Sequence, residues 1–523
     1  MLATSQPNEV IAVEDAKRPE LPRGWVPITL GEICLPVKRV SPTHEPDELF
    51  TYIDIASINN AQLRIVAPKT YLGKDAPSRA RQRVKAGNIL FSTVRTYLKN
   101  IAMVPAELDG QIASTGFCVI SPSDQMNAEF IFYFVQHDEF VTRVNPIQKG
   151  TSYPAVRDAD ILSQEVPLPP LPEQRRIVAE IEKQFTRLDA TVAALKRVQS
   201  NLKRYRASVL KDACEGRLVP TEAELARSEG RDYEPADRLL ERIQAERRAR
   251  WKSQKKRRGK YKEPVGPDTT DLPELPEGWV WATLAQISDL KGGATKGRRY
   301  RAGESLTEVP YLRVANVQRG YLDLSEIKLI EVTQEVADQL ALVHGDILFT
   351  EGGDRDKLGR GWVWKGELDR CIHQNHVFRS RLLLSEMHSE FISWWGNSFG
   401  QKFFEKTGKQ TTNLASINLS VLSTFPVPLP PLAEQRRIVA EVERRLSVIQ
   451  QAEAAVEANL TRAERLRQSI LKQAFSGKLV PQDPDDEPAS ALIERIEAER
   501  EQARAEAQRK RKTRRRSKRK VKA

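Results

Sequence analysis

Residues 166–185 read VPLPPLPEQRRIVAEIEKQF, and residues 427–446 read VPLPPLAEQRRIVAEVERRL, the same piece again 261 positions later. A segment kept twice in one chain marks an internal duplication, and further pairs follow once it is sought. LPRGWVPITLGEI (21–33) returns as LPEGWVWATLAQI (275–287), an offset of 254. YIDIASI (52–58) returns as YLRVANV (311–317), GNILF (87–91) as GDILF (345–349), and SVLKDACEGRLVP (208–220) as SILKQAFSGKLVP (469–481). The offset drifts from 254 to 261 in the first part of each copy, then stays at 261 from LPPL to GxLVP. A globular domain absorbs insertions in surface loops, whereas a rod loses its geometry when its length changes. Each copy therefore reads as a variable globular domain followed by a spacer of fixed length.

The spacer has the marks of a long helix. The prolines of LPPL hold an extended approach, Pro172 or Ala433 suits the first turn, and Glu173/Gln174 or Glu434/Gln435 place negative charge where the helix dipole favours it. Gly216 and Gly477 are natural left-handed stops. Between these ends, apolar residues recur at alternating spacings of four and three: Ile181, Phe185, Leu188, Val192 and Leu195, and in the second copy Ile438, Val442, Leu446, Ile449 and Val456. Glu453 interrupts the second seam where the first has Val192. Such a heptad seam needs a partner helix, either its own globular domain or the other spacer running antiparallel. About 43 residues at about 1.5 Å each make a rod of about 65 Å.

The resulting layout is an N-terminal extension (1–21), a first globular domain (22–165), a spacer helix (166–220), a helix with a basic linker (221–275), a second globular domain (276–426), a second spacer (427–481), and a helix with a basic tail (482–523). Short β-branched runs at 52–55, 89–93, 311–314 and 346–350 predict strands, and the aromatic-rich stretches 127–141 and 386–404 predict helices. The fold class is α+β, two similar mixed domains separated by a pair of long antiparallel coiled-coil helices.

The 523 residues exceed one ordinary core, and no apolar run is long enough for a bilayer. The first residues lack a basic stretch followed by an apolar one, so a cytoplasmic protein without membrane association is expected. Four scattered cysteines without a CxxC pair point to reduced thiols. The net charge of +13 is concentrated: residues 247–262 hold ten Lys/Arg and residues 509–522 hold eleven, with no acid in either tract. Subtracting those 21 charges from +13 leaves −8 on the remainder, so the tracts, not the domains, set the basicity.

Catalytic signatures are missing. No Pro-Pro-aromatic methyltransferase tetrapeptide accompanies a Gly-rich turn, and KGGATKGRRYR (291–301) has Arg-Arg where a phosphate loop requires Lys-Ser/Thr. CIHQNH (371–376) is the only cluster of soft metal ligands, and its repeat partner QIASTG (111–116) has no Cys or His. The D…ExK string of Asp323, Glu326 and Lys328 likewise lacks a counterpart. No metal site, no cofactor and no activity in this chain alone are expected.

Nucleic acid is the partner the remaining polar clusters suit. Residues 27–165 carry 14 basic and 15 acidic groups and residues 281–426 carry 18 and 17, so local clusters matter more than totals. In the first domain the candidates are Arg79, Arg81, Arg83, Lys85 and Arg95, with Lys149, Thr151, Ser152 and Tyr153 in the turn QKGTSY. In the second they are Lys296, Arg298, Arg299, Arg355 and Lys357, with Lys409, Gln410, Thr411 and Asn413 in KTGKQTTN. Their charges suit phosphate, and their amides and guanidinium groups suit base edges. Two similar readers on a rod of set length would bind two half-sites at a fixed spacing. A coiled-coil scaffold without any DNA role is the alternative.

The repeated PLPPLxEQRRIVAE segment, the GW segments, GNILF/GDILF and GRLVP/GKLVP together resemble the DNA-specificity subunit of Type I restriction–modification systems, over nearly the whole chain. The resemblance implies two target-recognition domains, each reading one part of a bipartite site in double-stranded DNA, with the spacer helices as a ruler between them. It implies a non-catalytic subunit assembled with two adenine-specific methyltransferase subunits and with translocase–endonuclease subunits. Adenosylmethionine, ATP and Mg would then belong to those partners. The basic tracts have no counterpart in that pattern, and LERIQAER (240–247) and IERIEAER (493–500) read as helices suited to docking the modification subunits.

Overall fold

A computed structural model describes residues 20–145, 155–253, 260–301, 303–353, 357–407, 409–410 and 415–522. The chain divides into two compact units, residues 1–195 with 458–523, and residues 196–457. The division falls within the spacer helices, not at their ends.

In unit 1 a five-stranded sheet runs in the order Lys38–Arg39, Ala80–Arg83, Ile112–Ser114, Leu49–Ile53, Lys69–Leu72. Its one parallel pair sets Ile112 opposite Tyr52 and Ala113 opposite Ile53. A three-stranded antiparallel sheet places Ile89–Ser92 between Phe117–Ile120 and Ile101–Met103. The GW segment closes the domain: Val26–Thr29 pairs antiparallel with Glu165–Leu168, so the strand that opens the domain lies beside the one that leads into the spacer. The aromatic stretch predicted as one helix forms two, Ala128–Phe134 and Asp138–Val144. They are separated at Val135–His137, where the Gln136 and His137 N–H groups turn to Tyr133 and Phe134 carbonyls.

Unit 2 repeats the plan with insertions. Val280–Thr283 pairs with Pro426–Leu429, and Tyr311 and Leu312 run parallel to Ile372 and His373. Ile347–Thr350 lies between Val377–Leu382 and Gly361–Val363. Unit 2 has a long hairpin, Leu306–Leu312 with Lys328–Thr333, followed by the helix Gln334–Leu340. Here too the predicted helix is two, Ser389–Ser398 and Gly400–Thr407.

The spacers are helices of 44 residues each, Leu171–Cys214 and Leu432–Phe475. Both stop as the glycines dictate. Gly216 and Gly477 have φ of +70° and +69°. The N–H after each glycine reaches back five residues, Arg217 to Asp212 O and Lys478 to Gln473 O, both at 2.8 Å.

Both proposed partners of the seam are real. In unit 1, Ile177, Ile181 and Phe185 are buried against the first domain's Phe130, Phe134 and Phe140, and share that core with Ile470, Leu471 and Phe475 from the end of the second spacer. In unit 2, Ile438 and Val442 share a core with Trp279, Phe391 and Trp395 and with Val209 and Ala213 from the end of the first spacer. The start of one helix meets the end of the other in each unit, so the pair is antiparallel. Along the seam Leu188, Ile449 and Val456 are buried, and Val192, Leu195 and Leu446 are half-buried. Glu453 is satisfied by an ion pair with Arg206 at 2.6 Å.

Each core takes one more helix. Ala236, Leu239 and Ile243 of the helix Ala236–Ser253 are buried in the unit 2 core, and Ala489, Leu492 and Ile496 of the helix Ala489–Lys522 in the unit 1 core. The apolar faces of LERIQAER and IERIEAER are thus spent inside the units and are not open for docking. The backbone joints match: the Ala236 N–H donates to Gly278 O at 2.9 Å, and the Ala489 N–H to Gly24 O at 3.0 Å. The helix Ala489–Lys522 continues through the C-terminal basic tract. In the other tract, Arg247 donates to the carbonyls of Ala285 and Ser288, and Arg250 to Leu383 O at 2.6 Å, so part of its charge fastens the helix to unit 2.

Candidate nucleic-acid interface

The candidate residues fall into three groups. Lys149, Thr151, Ser152, Tyr153, Arg355, Thr411 and Asn413 lie outside the described residues. Arg81 and Arg83 belong to the strand Ala80–Arg83, whose alternation buries Ala80 and Gln82 and turns the two arginines to the opposite face. Arg81 is held locally, Nη1 to Ser41 Oγ at 2.5 Å and Nε to Ser78 O at 3.0 Å. Arg83 stands opposite Lys38 and lines a cavity of about 590 Å³ with Phe50 and Gln111. Lys85 is exposed beyond the strand end.

The third group converges on one edge in each unit. In unit 1, exposed Arg79 offers its carbonyl to the Thr115 N–H at 3.0 Å. The next carbonyl along, Gly116 O, accepts from the Thr93 N–H at 2.9 Å and from its hydroxyl at 3.0 Å. The Thr93 carbonyl in turn accepts from Val156 N at 2.9 Å, and Val94 bridges to Ala155. Arg79, the turn beginning at Arg95, and the chain leaving the QKGTSY segment are therefore strung along one edge.

Unit 2 builds the same edge from different residues. Lys296, Arg298 and Arg299 are exposed on the loop after Ser288–Lys291, with the Arg298 guanidinium 5.7 Å from the Tyr300 ring centre. That loop is pinned at Ala294, whose N–H donates to His373 O at 2.8 Å and whose carbonyl accepts from Asn375 N at 2.9 Å. Gly293 permits the approach, since a Cβ there would lie 1.9 Å from His373 O. The Glu351 N–H then donates to His376 O, and Glu351 O accepts from Ile417 N at 2.8 Å. The short strands Gly352–Gly353 and Lys409–Gln410 both pair with Ala415–Ser416, which brings the backbone of Lys409 and Gln410 into one small sheet with Gly352 and Gly353.

The doubtful motifs resolve into structure. His373 is buried, its Nδ1 bonded to Val377 O at 2.6 Å, and burial pushes its pKa down to about 4. His376 pairs with Glu351. Asp323 accepts from the Ser325 N–H and hydroxyl, and Glu326 pairs with Lys328 at 2.5 Å. The thiols of Cys34, Cys118, Cys214 and Cys371 are all buried and free.

Glu173 and Glu434 stand in the first turn of their helices, as the sequence predicts, and the EQ pair has a second role that the sequence reading missed. Glu173 and Glu434 are buried, and each accepts the indole N–H of the GW tryptophan, Trp25 at 3.0 Å and Trp279 at 2.9 Å. Gln174 and Gln435 each donate to the carbonyl five residues back, Pro169 and Pro430, and accept the backbone N–H of Asn127 and His388. Burial raises both glutamate pKa values against the indole hydrogen bonds. The pair clamps each domain to its spacer. The signal was present in the repeats, where GW and EQ are both retained in both copies.

Comparison with known proteins agrees with this architecture. The family model described as the Type I restriction modification DNA specificity domain matches residues 22–203. The EcoKI specificity subunit of Escherichia coli (strain K12) is 24% identical over 395 residues, 73% of this chain and 74% of that protein. The StySPI specificity subunit of Salmonella potsdam is 23% identical over 508 residues, 92% and 97% of the two chains. A solved structure reported for the complex assembly and conformational transition of the type I R-M system superposes with a TM-score of 0.63 at 30% identity, covering 88% of this chain and 100% of that one. Duplicated domains, paired spacers and this similarity over the full length of a solved relative lead to one conclusion: the chain belongs to the family of Type I restriction–modification DNA-specificity subunits.

Proposed function

We propose that this chain recognises a bipartite target in double-stranded DNA, one half-site per unit, and directs partner subunits that methylate and cleave. The observation that carries it is the repeated edge: two different polar and basic loop sets occupy equivalent places in two copies of one fold, Arg79 with the Arg95 turn in unit 1 and the Lys296–Arg299 loop with Lys409 and Gln410 in unit 2. Equivalent placement with different side chains is what two readers of different sequences require.

In this reading the chain is not itself an enzyme. Methyl transfer to adenine with adenosylmethionine, and ATP- and Mg-dependent translocation and cleavage, fall to two methyltransferase subunits and to translocase–endonuclease subunits. The spacers act as the ruler, supported by their invariant 261-residue offset and equal length.

Methylation mapping in a host carrying the complete complex should reveal a target of two specified parts separated by unspecified bases. Inserting one heptad into both spacers lengthens each by about 10 Å, and the gap should grow by about three base pairs. An unaltered gap, or a target specified by one unit alone, would refute the reading.

A further inference from the structure

Both units build the same hairpin on the GxILF strand, so each serves as a control for the other. Phe91 pairs with Ile101 in unit 1, and Phe349 with Gly361 in unit 2. Two residues before those partners stand Lys99 and Gly359, which share left-handed backbone with φ of +50° and +58°. One residue earlier come Leu98 and Leu358.

Here the copies part. Leu358 is 1% exposed, and the left-handed position after it is a glycine. Leu98 is 40% exposed, its neighbour Tyr97 is 54% exposed, and a lysine fills the left-handed position. A second left-handed residue with a side chain, Arg95 at φ +49°, opens the single 3-10 turn Thr96–Leu98. Such backbone is unfavourable for any residue with a Cβ and persists where its surroundings over-determine it.

The surroundings do so from beneath. Thr96 is buried with its hydroxyl 2.5 Å from Asn145 Oδ1. Lys99 Nζ donates to Gln136 O at 3.1 Å and pairs with Asp138 at 2.5 Å. Asn60 Nδ2 donates to Leu98 O at 3.0 Å. Every anchor fixes the base of the turn, and its tip presents a tyrosine and a leucine to solvent on the edge that carries Arg79.

We propose that Tyr97 and Leu98 form an apolar tip that packs against bases of the half-site read by unit 1, the Tyr97 ring stacking on a base and Leu98 wedging beside it. The proposal rests on the DNA-reading function and deepens it. A ring face stacks on any base, and an aliphatic wedge opens most easily at flexible pyrimidine–purine steps, so this tip senses DNA shape where the arginines sense charge. The cationic Arg79 on the same edge favours a polyanion over an apolar protein surface.

The test uses the full chain in its complex and duplex DNA carrying the mapped target, with affinity measured over a salt series. Tyr97→Ala should bind about 5- to 150-fold more weakly with the slope of log affinity against log salt unchanged, since an aromatic contact releases no counterion. Tyr97→Phe should bind as wild type, and Arg79→Ala should reduce the slope by about one. A 2-aminopurine in the unit 1 half-site should brighten with wild type and not with Tyr97→Ala. The proposal fails if Tyr97→Ala matches wild type in both readouts, if its thermal midpoint falls, or if it loses assembly with a partner subunit while DNA binding stays intact. A wild-type complex with no salt-dependent DNA binding sinks the functional reading itself, which is a distinguishable result.

Discussion

Glu434 holds the Trp279 indole N–H on one carboxylate oxygen at 2.9 Å and the Glu222 backbone N–H on the other at 2.8 Å. Its counterpart Glu173 holds only the Trp25 indole, and its second oxygen is buried without a partner among the described residues. The same substitution should therefore act differently in the two copies. Glu434→Gln turns one acceptor into a donor facing an N–H, and should cost unit 2 about 1–3 kcal/mol. Glu173→Gln keeps its single acceptor and removes a desolvated charge, so unit 1 should change by less than about 1 kcal/mol. Denaturant midpoints of the two variants, followed by tryptophan emission, check the ordering.

The buried His373 imidazole predicts a pH dependence of unit 2 stability. Its pKa is pushed down to about 4 from 6.5, so the folded state prefers the neutral ring. The resulting stability is fully present above pH 6.5 and is lost as pH falls from there toward 4. The span corresponds to about 3 kcal/mol. His373→Asn should flatten that slope, whatever it does to stability at pH 7, as seen by unfolding at a series of pH values.

Phe475 ends the second spacer inside the unit 1 core, its ring 5.4 Å from Phe130 and 5.2 Å from Phe134, edge-on to both. Phe475→Ala should destabilise unit 1 by about 3–5 kcal/mol. Hydrogen exchange should show the loss in the helices Ala128–Phe134 and Asp138–Val144, with the Trp279 region of unit 2 unaffected.

The Arg206–Glu453 pair is partly exposed, a setting in which an ion pair contributes about 0–1 kcal/mol. Replacing Glu453 by valine, the residue at the equivalent place in the first spacer, should leave the thermal midpoint within a few degrees. Ile449→Ala, four residues away in the buried seam, should cost about 2–5 kcal/mol. A collapse of the Glu453→Val variant would show that this pair sets the register of the spacers.

The spacers were legible because their information is local. A seam repeating every three and four residues, from Ile181 to Leu195 and from Ile438 to Val456, dictates a helix and a stripe without reference to anything distant. The glycine stops were readable for the same reason. The roles of Glu173 and Glu434 were not, because their partners lie 148 and 155 positions away and local spacing describes only a charge near a helix start. Arg81 illustrates the limit at the candidate site: a cluster of positive charge marks it as a DNA contact, and only the fold reveals that Ser41 and Ser78 already engage it. Tyr97 was invisible for the opposite reason, since an aromatic followed by a leucine reads as core until the backbone of Arg95 and Lys99 turns it outward. The apolar stripes of Ala236–Ser253 and Ala489–Lys522 announced helices, and nothing in their sequences named the cores they complete.

That last helix bears on how the chain is made. Unit 2 is continuous, so a ribosome has supplied all of its residues by position 457, whereas unit 1 waits for residues 458–523 although it was begun first. During synthesis the leading domain must linger without Phe475, Leu492 and Ile496, its apolar surface uncovered, until the chain has grown past position 496. A premature stop between positions 457 and 475 would thus injure the first domain while leaving unit 2 whole, and give a nascent first domain for chaperones and proteases to claim.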